Sequence, residues 1–208
     1  AENSTELMES LVGFGDTMRE RSEDDPRREI VVSVETGAAQ ARRLADVLTR
    51  QGIRVLRTGE DVTVRIRDLD EEIDTERDVL LPAGSYRIPL EQPAYALVRS
   101  LLDQHIAMGD AFIEEEEARV ERGLHPRVYD VTAWSMILGY GVEAGSVDRR
   151  LDVPSEPVRV GELPEAVGVA DAEVAWLIPC MDNSIYPALT RLWARRINVH
   201  CALEGVGA

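Results

Sequence analysis

Lysine is missing from this chain: all 23 of its basic residues are arginine, set against 39 acidic ones, for a formal charge of −16 over 208 residues. A surface this negative repels a phosphate backbone, because nucleic-acid binding draws its affinity from cationic side chains that displace counterions. Nucleic acid and anionic membrane are both poor partners. A GC-rich coding sequence and the demands of solubility account for the arginine bias and the charge. Adaptation to high salt accounts for them as well, since a dense carboxylate surface stays hydrated and the long apolar stem of lysine is avoided.

Histidine and cysteine are nearly as scarce, with three and two copies. Cys180 and Cys201 are too few for a disulfide framework and allow one bridge at most. No apolar run approaches the length of about 18 residues that a membrane span needs. The polar start Ala1-Glu2-Asn3-Ser4-Thr5 is not a signal peptide, so a signal for export would have to lie upstream of this chain. The length suits one generous domain or two small ones.

Apolar positions at Leu7, Met8, Leu11, Val12, Phe14 and Met18 predict a short amphipathic helix weakened by Gly13 and Gly15. The charged run from Ser22 to Arg28 reads as a linker, so residues 1–28 form a helical lead-in and residues 29–208 an α/β domain. Ile30-Val31-Val32-Ser33-Val34 is a β-branched run suited to a strand buried on both faces. Gly37 turns the chain, a helix runs from Ala38 to Arg50, Gly52 stops it, and Ile53-Arg54-Val55-Leu56 begins another strand. The same β-α-β grammar returns near the C-terminus, with a strand at Val174–Ile178, a helix capped by Asp182 or Asn183 and running to Arg196, and a strand at Ile197–His200. At an offset of 144 residues Val34, Leu48, Ile53 and Val55 fall on Ile178, Leu192, Ile197 and Val199. Units at about 30–56 and 174–200 thus read as an internal repeat, and the expected fold is α/β with a largely parallel sheet.

Between these units, Val62, Val64 and Ile66 alternate with polar residues as in a half-exposed strand. Asp68 to Asp78 reads as a solvated loop, Pro82-Ala83-Gly84 as a turn, Tyr86-Arg87-Ile88 as a strand, and Pro93 as the first turn of a helix. Glu114 to Glu117 is expected on a solvated helix face, because hard-metal loops alternate their ligands with glycine and asparagine. Residues 142–172 read as a connecting segment with short strands around Val153 and Val158-Arg159-Val160.

Two stretches carry more information than the rest. Pro82-Ala83-Gly84-Ser85-Tyr86-Arg87-Ile88-Pro89-Leu90-Glu91-Gln92-Pro93 and Tyr129-Asp130-Val131-Thr132-Ala133-Trp134-Ser135 resemble paired segments found downstream of the catalytic domain in large bacterial zinc carboxypeptidases of the carboxypeptidase A-like superfamily. That family usually continues with Leu-Pro after the serine, where this chain has Met136-Ile137. The resemblance spans roughly residues 30–200. It implies a non-catalytic accessory domain that braces or gates an upstream peptidase domain of the same parent, with zinc held in that domain and none here.

The residues agree with a piece outside the peptidase proper. The superfamily's zinc site needs His-x-x-Glu and a distant second histidine. His105 is followed by Ile106-Ala107-Met108, His125 by Pro126-Arg127-Val128, and His200 by Cys201-Ala202-Leu203, so the motif does not occur. No catalytic residue is carried over. If the second stretch faces the catalytic domain, Trp134 and Tyr140 become its interface anchors.

Two other readings stand beside the accessory domain. Cys180, after a strand and before a helix, sits where glutamine amidotransferase-like enzymes place a nucleophile. Pro179-Cys180-Met181-Asp182, however, lacks the glycines of such a turn, and a buried structural cysteine is the commoner outcome. Cys180, His200 and Cys201 would make a soft-metal site only if the strand ends converge. The other reading is a small-molecule-binding module using the loops at Glu35-Thr36 and Asp182-Asn183, at the carboxyl ends of strands.

Overall fold

The computed structural model describes residues 2–70, 75–104, 109–127, 135–162 and 185–201. Helix α1 (Glu2–Asp24) leads into β1 (Glu29–Val32), α2 (Ala38–Arg50) and β2 (Leu56–Thr58). A hairpin follows, built from β3 (Val62–Arg67) and β4 (Glu76–Leu81), then β5 (Tyr86–Pro89), α3 (Tyr95–Leu102) and α4 (Asp110–Glu121). The described part closes with α5 (Met136–Tyr140), β6 (Ala144–Val147), β7 (Ser155–Pro157) and α6 (Ile185–Ala194).

Among the described residues, seven strands form one sheet in the order β4-β3-β6-β1-β5-β2-β7, and every neighbouring pair is antiparallel. The expectation of a largely parallel sheet is overturned. β1, α2 and β2 do follow one another as β-α-β grammar requires, and β1 and β2 point the same way. β5, however, lies between them and runs against both. The β-branched run that suggested a parallel strand has another cause, because β1 is covered on each side by a different layer.

On one face, Ile30 and Val32 pack with Leu44 and Leu48 of α2, Val98 and Leu102 of α3, and Ile88. On the other, Val31 packs with Val64, Ile66, Val79 and Leu81 of the hairpin and with Val147, Leu151 and Val153. Burial on both faces produces a continuous apolar run whatever the strand direction.

The hairpin joins the sheet through a single rung, Arg67 opposite Ser146. Its crossing is close: a Cβ on Gly145 would stand 2.6 Å from Ile66 Cδ1 and 2.9 Å from the Arg67 carbonyl oxygen. β6 therefore carries glycine where the hairpin passes over it.

The expected repeat is only partly within view. Its strand at 174–178 lies outside the described residues, its helix corresponds to α6, and residues 197–200 form no strand. The strand expected at 53–56 begins at Leu56, and of the strands expected around Val153 and at Val158-Arg159-Val160 neither forms; β7 (Ser155–Pro157) falls between them.

Two polar clusters hold the layers together. Glu29 and Arg87 are buried beside Val31. The Arg87 guanidinium donates Nε to Glu29 Oε2 at 2.8 Å and Nη2 to Glu29 Oε1 at 2.7 Å. Its remaining N–H groups reach the Leu151 carbonyl at 2.7 Å, the Val153 carbonyl at 3.2 Å and Ser155 Oγ at 2.8 Å. All five donors of the fork are used, and the 151–155 segment is fixed against the sheet.

The second cluster occupies the stretch read as a linker, where Ser22 and Asp25 are buried. Asp25 accepts from the Arg27 N–H at 2.9 Å, from the Tyr95 hydroxyl at 2.8 Å and from Arg99 Nη1 at 2.8 Å. Asp103 accepts from Arg99 Nε and pairs with Arg27 at 3.4 Å. With Met18 in the same core as α2 and α3, this network ties the lead-in to the sheet and its covering helices.

Candidate functional site

The turn before β5 sets up the site. Gly84 has a φ of +94°, which an L side chain resists, and lets the chain reverse after Pro82. The turn is pinned at several points: the Gly84 N–H donates to the Thr58 carbonyl at 2.8 Å, the Thr58 N–H donates to the Ser85 carbonyl at 2.8 Å, and the Val34 N–H donates to Ser85 Oγ at 3.3 Å. Further on, Gln92 accepts the Arg54 N–H at 2.7 Å and donates to the Pro89 carbonyl, standing in for a missing peptide between the lead-in to β2 and the end of β5. Ser135, the last residue of the second singled-out stretch, donates to the Leu102 carbonyl at 2.8 Å and closes α3. Residues 128–134 lie outside the described part. Where the singled-out stretches are described, most of their polar groups are spent on internal joints.

Register places three side chains in one row. Arg57 of β2 stands opposite Tyr86 on one side and opposite Glu156 on the other. Residues directly opposed across a ladder project from the same face. Ala38 and Arg42 lie one helical turn apart on α2, and side chains lean toward the helix N-terminus, so Arg42 reaches over the row. Together with Val34, Thr58, Gly59, Ala83, Gly84, Pro154 and Ser155 they line a cleft of about 580 Å³ at the carboxyl ends of β1 and β2.

The far wall of the cleft depends on the opposite face of the sheet. Arg87, next to Tyr86 but pointing the other way, grips Val153 and Ser155, which bracket the wall residue Pro154. The Gly59 N–H donates to the Pro154 carbonyl at 2.8 Å and completes the rim.

Electrostatically the cleft runs against the molecule. Its lining carries two arginines and one acid, in a chain of charge −16. Burial pushes the Tyr86 phenol up; the Arg42 and Arg57 charges and the Arg42 hydrogen bond pull it down without overcoming burial. Tyr86 thus stays neutral, with its hydroxyl held by Arg42. Arg57 and Glu156 approach only to 3.7 Å, on a rim where Glu156 is well exposed, a weak contact. The first turn of α2 carries no acid and its Gly37 cap no side-chain hydrogen bond, which leaves the helix N-terminus open to negative charge.

Glu35 and Thr36 are exposed on the loop between β1 and α2, flanked by the lining residues Val34 and Ala38. Asp182, Asn183, Cys180 and Trp134 lie outside the described residues. Tyr140 is half-buried against the core. His200 and Cys201 are exposed, and among the described residues no three His, Cys, Asp or Glu side chains converge as a metal site. No helix among them is long and apolar enough to cross a membrane. Arg42 and Arg57 went unnoticed in the sequence, where they are two of 23 arginines with no motif around them. Of the lining residues, Ala83, Gly84 and Tyr86 lay in a singled-out segment. Compared with protein-family models, curated proteins and solved structures, the chain gives no match.

Proposed function

We propose that this chain is a non-catalytic accessory module of a larger zinc carboxypeptidase-like protein, bracing or gating the peptidase domain that precedes it. The observation that carries this reading is the face of α1. Leu7, Leu11, Phe14 and Met18 recur at spacings of four, three and four and share one side of the helix. Met18 is buried in the core, whereas Leu7, Leu11 and Phe14 continue the same stripe outward, each more than half exposed, as are the adjacent Met8 and Val12. Burying such side chains is worth about 1.5–3 kcal/mol each. A neighbour on the N-terminal side, where the resemblance puts the peptidase domain, is positioned to cover them.

Hydrogen exchange tests the assignment. In the longer protein, the amides of Leu7 to Phe14 should exchange more slowly than in this chain alone, and Leu11→Glu with Phe14→Glu should abolish the difference. Equal exchange in both contexts removes the docking face and with it the bracing role. A ligand-binding module is a second reading, favoured by the Arg42–Arg57 cleft, and it is compatible with the first.

A further inference from the structure

We infer that the cleft between α2 and the β5-β2-β7 end of the sheet binds a small organic acid, its oxyanion held by Arg42 and Arg57 and its apolar body resting on Val34, Ala38, Ala83 and Pro154. The volume, about 580 Å³, is that of a pocket for a small organic molecule and exceeds what a bare inorganic ion fills. The lining combines an apolar floor with a few convergent polar groups, the division of labour that fixes a ligand's orientation while its burial supplies affinity.

The charge at the convergence point selects the ligand's sign. Two arginines line the cleft from different elements, one from a helix and one from a strand, and both charges act on the Tyr86 phenol between them. A planar fork of N–H donors matches carboxylate and phosphate oxygens alike. Arg42 is oriented by its hydrogen bond to Tyr86, and the burial that keeps this phenol neutral removes a competing anion from the site. Arg57 meets Glu156 at only 3.7 Å, so an incoming oxyanion displaces a weak contact at an exposed rim. Asp61, beside the turn, already accepts the Ala83 N–H at 2.7 Å. The open N-terminus of α2 adds to the same field. None of this depends on the accessory-domain reading.

Carboxylate and phosphate share the recognition chemistry, and the test separates them. Benzoate, phenyl phosphate and benzyl alcohol present one apolar ring with a carboxylate, a phosphate or no charge. Isothermal titration at fixed ionic strength should give saturable binding for at least one of the two anions and none for benzyl alcohol; the tighter anion identifies the oxyanion. Arg42→Gln and Arg57→Gln should each weaken that anion by about ten- to a hundredfold, the range of a lost charge-assisted contact. Glu156→Gln frees Arg57 from its rim partner and should tighten binding, a gain that a misfolded variant cannot mimic. Absence of saturable binding by both anions, equal binding of benzyl alcohol, or unchanged affinity in both arginine variants would overturn the assignment.

Discussion

Replacing Arg87 by methionine tests how the far wall of the cleft is built. The substitution keeps much of the side-chain length and removes all five donors. Glu29, 1 % exposed, is then left as a buried carboxylate without a counterion. The Leu151 and Val153 carbonyls lose their Arg87 partners at 2.7 and 3.2 Å. Breaking a buried ion pair from one side costs about 3–5 kcal/mol, chiefly through the stranded charge. Glu29→Met, which strands the guanidinium instead, should cost a similar amount, reduced by the contacts Arg87 keeps with the 151–155 segment. In the double variant Glu29→Met/Arg87→Met no charge is stranded. Its residual cost is that of carbonyls deprived of a donor, about 1–3 kcal/mol for each one that stays buried and unmet. The double variant should therefore be markedly less destabilised than the sum of the singles. Urea unfolding, followed by tryptophan fluorescence and far-UV circular dichroism with midpoint and slope fitted separately, measures each corner of the cycle. An Arg87→Met cost below about 1 kcal/mol, or strict additivity in the double variant, would refute the view that this pair is a structural staple.

Other consequences follow from the same contacts. Gly145→Ala should destabilise the fold by about 1–3 kcal/mol, because the new Cβ meets both Ile66 and the Arg67 backbone. Adding Ile66→Ala should not recover the loss, since the carbonyl contact remains, and a Gly145→Ala protein as stable as the parent contradicts the close crossing. For Asp25, burial alone favours the neutral acid, but the hydrogen bonds from Arg27 and Tyr95 outweigh it and hold the group below its ordinary 3.8. The unfolded chain then takes up this proton first on acidification, so the contribution is complete above the unfolded value and disappears as pH falls through the folded one. Asp25→Asn should flatten the stability–pH curve below about pH 5, and parallel curves for the two proteins argue against the network. If the carboxylate-rich surface is a salt adaptation, the melting temperature should climb with molar KCl more than for an ordinary protein; a flat response removes that reading.

Much of the local structure was readable from the residues. The helix between Gly37 and Gly52, the alternation that makes β3, and the turn at Pro82-Ala83-Gly84 all follow from side-chain period and from glycine's access to positive φ. Strand direction was not readable, because the apolar run of β1 reports cover on both faces and carries no information about which strand lies alongside. β6 escaped notice for a different reason: Ala144-Gly145-Ser146-Val147 has little strand character of its own, and its place in the sheet comes from its ladder with β1, more than a hundred residues earlier. The charged run from Ser22 to Arg28 looks solvated until Tyr95, Arg99 and Asp103 arrive from seventy or more residues away. The cleft was not legible. Glu35 and Thr36, singled out in the sequence, flank its lining without joining it, and the pairing of Arg57 with Tyr86 and the reach of Arg42 depend on strand register and helix phase that only the folded chain supplies.

The most direct test of the central claim is carboxypeptidase activity and bound zinc, measured together on the longer protein that the accessory-module proposal requires, on the same protein cut away before Ser4, and on this chain alone. The accessory-module account predicts that the longer protein binds zinc and cleaves, that the truncated protein cleaves more weakly or with altered specificity, and that this chain by itself is zinc-free and inert. Hydrolysis by the isolated chain, or a truncated protein indistinguishable from the intact one, would contradict it.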